Sequence, residues 1–421
     1  MEKRKFTLGI VSAVLIIGVL LWQTGIVNQF IVRTFFAPDF DEEFLSEEDS
    51  PSDEDQEDRE AAPKEAEEKE TEEKEAEEDP GEGDPERVSI VDVEYEIEVI
   101  AENLEIPWEI LRLPDGQILI TERPGRVRIL DEGEIATIHS VEHAGEGGLL
   151  GMALSPFYEE DGYIYLYYTY QQGGNYYNRV ARYHFEEGSL GEEEVVIENI
   201  PGDRIHNGGR IKFGPDEMLY IATGDAADPE LAQDVDSLAG MILRLHPDGS
   251  IPEDNPFDQS PVYAHGIRNP QGLAWHPGTG ELYSSGHGPT RLDVINHITP
   301  GSNYGWPEIT CDEESSQFEQ ALVCYPDFTL APSGMDFYDH ENLEEVPLYV
   351  AGLRGNMVMR IDFTREGELI RQEALFQDYG RIRTVVYHDG SLYVATNNRD
   401  GRGVPGSEDD QILRITPKVD D

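Results

Sequence analysis

His206 and Asp225 bracket the stretch of this chain whose residue types best suit proton transfer. His206 lies in the glycine-rich run Arg204-Ile-His-Asn-Gly-Gly-Arg210. A strand is expected over Arg210 to Phe213, a Gly-Pro-Asp turn follows, and a second strand is expected over Met218 to Thr223, ending on Gly224-Asp225. Two antiparallel strands joined by a tight turn bring their far ends together. An imidazole is thereby set beside a carboxylate, the arrangement of a general base and the group that orients it. Taken alone, such a pair reads more often as a loop histidine and a turn aspartate, so the weight of the reading falls on what accompanies it.

Arginine and histidine recur in other glycine-rich loops. Glu146-Gly-Gly-Leu-Leu-Gly-Met-Ala153, Gly266-Ile-Arg-Asn-Pro-Gln-Gly-Leu-Ala274, His287-Gly-Pro-Thr-Arg-Leu-Asp-Val-Ile-Asn296, Gly301-Ser-Asn-Tyr-Gly-Trp-Pro307, Gly352-Leu-Arg-Gly355 and Arg381-Ile-Arg383 stand apart in sequence. In so acidic a chain these arginines read either as surface ion pairs or as a pocket for a small polyanion, since guanidinium grips carboxylates in a bidentate way.

The elements that must bring these loops together form a repeat. From about Val88 an apolar strand, a Pro/Asp/Gly turn and a second apolar strand recur, starting near Trp108, Leu150, Gly209, Gln271, Ser333 and Arg383. Six copies with further strands between them indicate an all-β fold, a six-bladed β-propeller. A β-sandwich is the runner-up but leaves the sixfold recurrence unexplained. Radial blades turn their loops toward one axis, so distant residues can share a cleft.

The rest of the chain is of a different character. Residues 1–38 contain a short basic start and the uncharged run Leu8 to Trp22, expected to be an export signal or, preferably, an uncleaved membrane anchor. Residues 39–87 carry 26 acids against 5 bases and almost nothing apolar, the composition of a disordered, self-repelling stalk. The propeller is expected over 88–421, outside the cytoplasm. There Cys311 and Cys324 either pair or remain two buried thiols. The net charge of −56 over 421 residues argues against nucleic acid as a partner.

The ordered set of loop phrases resembles the PQQ-dependent aldose sugar dehydrogenases, the soluble glucose dehydrogenase or glucose/sorbosone dehydrogenase family, over about residues 95 to 416. That resemblance implies a six-bladed propeller that oxidises an aldose at C1 to its lactone with PQQ and Ca²⁺. It implies His206 as the base, Asp225 as its orienting carboxylate and Arg268 as the group polarising the quinone oxygen. Asn269, His287, Arg354, Arg381 and Arg383 match cofactor contacts, and Glu146 and Asp293 match polar groups near the sugar. Gly288 and Pro289 match the carbonyls that help hold Ca²⁺. Arg354 and His287 stand where some members have Lys and Gln. Val294 and Thr384 replace acids common in the family, which bears on metal holding. The implied partners are an aldose, an external electron acceptor (quinone or cytochrome) and, through the anchor, the membrane. A Ca²⁺-dependent propeller lactonase and a non-catalytic glycan- or protein-binding propeller are the alternatives.

Overall fold

Short β-branched and aromatic strands, broken by Gly, Asp and Pro turns, pair into six antiparallel sheets in the computed structural model, which describes residues 87–419. These residues lie in the unit Pro80–Asp421. The anchor expected over 1–38 and, apart from Arg87, the acidic segment expected over 39–87 lie outside the described residues. Among the described residues no helix is long and apolar enough to cross a membrane.

Blade 1 comprises Pro107–Arg112, Ile118–Glu122, Arg126–Ile129 and Gly133–Thr137, and blade 2 starts from Leu149–Leu154, Tyr163–Gln172, Asn175–Glu186 and Glu194–Pro201. Blade 3 runs Ile211–Phe213, Leu219–Thr223, Met241–Leu245 and Val262–Ala264. Blade 4 runs Asn269–Trp275, Leu282–His287, Asp293–Ile298 and Val323–Tyr325. Blade 5 consists of Pro332–Phe337, Val346–Gly352, Met357–Phe363 and Leu369–Leu375. Blade 6 takes Ile382–His388, Ser391–Thr396 and Ile412–Pro417 from the C-terminal part and its outer strand, Tyr95–Ala101, from the other end of the domain, with Ile97 opposite Ile415. The six repeats expected from sequence are the first two strands of the six blades. The closing strand is the element the repeat did not reveal.

The core is divided as radial packing requires. Among the described residues six apolar clusters lie between neighbouring blades, such as Leu119, Val127, Leu149 and Leu166 between blades 1 and 2, and Ile361, Leu348, Val323 and Tyr283 between blades 4 and 5. Burying each such side chain contributes about 1.5–3 kcal/mol, which fixes each blade against the next and so fixes the loops at the axis.

Polar groups meet between the inner strands of the blades. Arg210 forms a buried ion pair with Glu109 and donates from Nε to the Gln271 carbonyl at 2.9 Å. Arg383 donates to Gln271 Oε1 at 2.8 Å. Both guanidinium groups lie over the Trp108 ring, at 4.1 and 5.7 Å, a cation–π arrangement that holds the indole as a floor. Cys311 and Cys324 are disulfide-bonded, with Cα atoms 5.7 Å apart, so of the two states left open by the sequence the chain adopts the paired one.

Candidate active site

The blade 3 hairpin does what its sequence expects. Ile211 pairs with Ile221, and His206 Nδ1 reaches Asp225 Oδ1 at 2.7 Å. Backbone geometry enforces this approach. His206 has φ +57°, in the left-handed region that non-glycine residues seldom occupy. A Cβ on Gly224 would lie 1.9 Å from the His206 carbonyl oxygen, so only glycine permits the two chain segments to close. Asp225 is fully buried, and its charge is met by donors. Oδ1 also accepts the Ala227 N–H at 3.0 Å, and Oδ2 accepts the Trp306 indole N–H at 2.9 Å. With Nδ1 committed to the carboxylate, Nε2 is the imidazole nitrogen left for a substrate.

Blade 4 lies against this pair. The Asp225 N–H donates to the Arg268 carbonyl at 2.8 Å. The Arg268 guanidinium sits 5.4 Å from the Trp306 ring centroid and donates to the Gly288 carbonyl at 2.8 Å. Asn269 is buried, accepts the Gly208 N–H at 3.0 Å and points its amide nitrogen at His287 Nδ1, 3.4 Å away. Nδ1 of His287 is therefore an acceptor, and the proton belongs on Nε2, a buried atom with no protein partner. Burial, reinforced by Arg383 and Arg268, pushes the His287 pKa down to about 3, against the pull of Glu146, so the ring is a neutral donor.

Beside His206 opens a cleft of about 410 Å³, its solvent mouth included, floored by Trp108 and lined by Arg123, Glu146, His287, Arg383, Asp400 and Arg402 among others. The Nε atoms of Arg123 and Arg383 are buried and lack partners. Burial, with the repulsion of neighbouring arginines, pushes Arg383 down to about 9; burial chiefly does the same to Arg123, down to about 10. Both remain cations at neutral pH while lacking full compensation, which is the condition of a site built for an anion.

The remaining expected residues divide clearly. Glu146 accepts the His206 N–H at 3.0 Å and pairs with Arg402 at 2.6 Å. Burial opposes its ionisation, but Arg402, His206 and His287 outweigh that and hold it down to about 2. Arg381 is committed to Asp400 at 2.8 Å and to the Leu353 carbonyl at 3.1 Å. Arg354 is exposed, and its neighbour Leu353 lines the cleft instead. Asp293 lies outside the cleft lining. Its two oxygens accept the Gly288 and Ala331 N–H groups, at 3.1 and 2.8 Å, so it supports the turn. Gly288 and Pro289 line a neighbouring cavity with Arg268 and Trp306. Among the described residues no three His, Cys, Asp or Glu side chains gather to hold a metal ion. Sequence reasoning gave no role to Trp306, Arg123, Arg402 or Trp108. Trp306 stood inside one of the loop phrases, and Arg402 follows the polar run Asn397-Asn-Arg-Asp-Gly401.

The glucose/sorbosone dehydrogenase family model matches residues 104–413. The chain belongs to this family. It is 30% identical to the aldose sugar dehydrogenase YliI of Escherichia coli over 360 residues, covering 76% of this chain and 93% of that protein. It is 33% identical to quinoprotein glucose dehydrogenase B of Acinetobacter calcoaceticus over 265 residues, covering 54% and 55%. The PQQ-bound aldose sugar dehydrogenase of Streptomyces coelicolor superposes with a TM-score of 0.70 at 37% identity, covering 77% of this chain and 99% of that one. The resemblance carried by the loop phrases and the six-bladed fold of this glucose/sorbosone dehydrogenase family member agree.

Proposed function

We propose that this protein is an exported, membrane-tethered PQQ-dependent dehydrogenase that oxidises an aldose at C1 to its lactone. The observation that carries the reading is the His206–Asp225 pair, 2.7 Å apart, at the edge of a cleft lined by arginines with unpartnered buried donors. These residues fit a flat polyanion. Trp108 closes the floor, Arg123 and Arg383 offer cations, and His287 offers a neutral N–H. The PQQ-bound relative supports the identity of that polyanion.

When bound, PQQ supplies the two-electron acceptor for the hydride. His206 Nε2 takes the C1 hydroxyl proton as the C1–H electron pair leaves, and the C1–O bond becomes a carbonyl. Asp225 keeps the imidazole in the required tautomer and stabilises the imidazolium once it forms. Arg268 lends positive charge where the acceptor gains electrons. Glu146 offers a hydrogen-bond acceptor to a sugar hydroxyl. Electrons then pass to an external quinone or cytochrome.

A calcium ion at Gly288 and Pro289 would be held by backbone carbonyls, since among the described residues no three His, Cys, Asp or Glu side chains gather to hold a metal ion. The Gly288 carbonyl already accepts from the Arg268 cation, and the nearby Asp293 carboxylate is spent on backbone N–H groups. No step is assigned to it.

The test is reconstitution of the full chain with PQQ, followed by dye reduction with a panel of aldoses. Sugar-dependent reduction that requires PQQ supports the reading, and an inability to bind PQQ refutes it.

A further inference from the structure

Arg402 differs from the other arginines of the cleft. Arg123 and Arg383 are buried, and Arg381 is locked on Asp400. The Arg402 side chain is 52% exposed, and its guanidinium donates to Glu146 Oε1 at 2.6 Å. Its main chain is fixed, because the Arg402 N–H donates to Asp400 Oδ1 at 2.9 Å. Through Asp400 that anchor continues to Arg381. A fixed base therefore carries a long, rotatable cationic arm that spans from the blade 6 loop to the loop before blade 2. Glu146 is fixed independently, since its Oε2 accepts the His206 N–H at 3.0 Å.

We propose that Arg402 is a movable clamp, held by Glu146 in the empty cleft and transferred to a carboxylate of the anionic ligand when the cleft fills. This rests on the reading of the cleft as a polyanion site. Both partners of Arg402 are carboxylates, so the exchange replaces one charge-assisted hydrogen bond with another. The ligand gains a third cation beside Arg123 and Arg383 and must displace Glu146 to obtain it. Transfer of Arg402 also uncovers Glu146 Oε1 next to His206, where it becomes an acceptor for a sugar hydroxyl. Occupation of the cleft thus prepares the sugar site.

Equilibrium dialysis of PQQ against the full-length apoprotein tests the clamp without turnover. Arg402→Gln is expected to weaken binding about tenfold, the loss of one charge-assisted bond. Glu146→Gln, which keeps an acceptor for the His206 N–H, is expected to tighten binding about threefold or more by releasing the arm. The double variant should match Arg402→Gln, and Arg402→Lys should retain part of the affinity. Melting temperatures check that each variant folds. Wild-type affinity in Arg402→Gln, or no gain in Glu146→Gln, overturns the clamp. If Arg383→Gln loses PQQ while Arg402→Gln does not, the cleft reading stands and the clamp falls. If the wild-type protein takes up no PQQ, both fall.

Discussion

The indole N–H of Trp306 lies 2.9 Å from Asp225 Oδ2, so the carboxylate that holds His206 is itself held from a different blade. The same ring lies beneath the Arg268 guanidinium. One side chain thereby sets the spacing between the base pair and the cation expected to act on the acceptor.

Replacing Trp306 with Phe keeps much of the ring contact and deletes the donor. A buried ionised acceptor would lose a partner, at a cost of about 1–3 kcal/mol. We expect kcat to fall by roughly tenfold or more with PQQ affinity little changed. Steady-state kinetics and denaturant unfolding of the variant check this. Unchanged turnover would remove Trp306 from the positioning of the dyad.

Asp225→Asn preserves shape but offers His206 the wrong charge and, in one amide orientation, a donor. Loss of general-base catalysis is worth about 10²–10⁴-fold, so kcat should fall in that range while PQQ binding persists. Parallel binding and turnover measurements separate the two effects. A fall below tenfold would show that Asp225 does not support the base.

Asp410 gives a pH signature distinct from catalysis. Burial first, with help from Asp409 and Asp400 and against its hydrogen bonds to the Asn398 and Arg399 N–H groups, raises its pKa to about 6. A carboxyl whose folded pKa is raised binds its proton more tightly in the folded state. Its contribution to stability is greatest below the unfolded value near 3.9 and is lost as pH rises to about 6. Asp410→Asn should therefore gain on the wild type between about pH 4 and pH 6, by an amount on the order of 1–3 kcal/mol. Thermal or urea unfolding across that window decides it, and parallel pH curves for the two proteins would contradict it.

The Cys311–Cys324 bridge closes a loop with sequence separation 13, between Trp306 and the outer strand of blade 4. Closing a loop of that size contributes about 3 kcal/mol in the chain-entropy account. Cys324→Ser paired with Cys311→Ser should lose about that much in urea unfolding, and turnover should fall if the loop carrying Trp306 loosens. Equal stability with and without the bridge would contradict the expectation.

The sequence made the propeller legible because each blade repeats the same strand–turn–strand phrase at its axis-facing side. It did not reveal Tyr95–Ala101 as the strand that completes blade 6, because pairing between distant segments leaves no local pattern. The dyad was legible because hairpin geometry alone joins His206 to Asp225. The arginines were legible as a set but not in their roles. Composition cannot say that Arg381 is already bound to Asp400, that Arg354 is exposed, or that Asp293 is spent on backbone N–H groups. Those facts depend on which loops meet, and Arg402 lay in a loop outside the recognisable phrases.

The most direct test of the central claim is a single turnover without dye. Full-length protein loaded with PQQ would be mixed anaerobically with an aldose or its C1-deuterated form, and the cofactor absorbance followed, for wild type and His206→Ala. The account predicts rapid reduction by the wild type, slowed by deuterium at C1, and PQQ that remains bound but is reduced at least about a hundredfold more slowly in His206→Ala. Equal reduction rates in the two proteins, or no reduction of bound PQQ by any aldose tried, would contradict it.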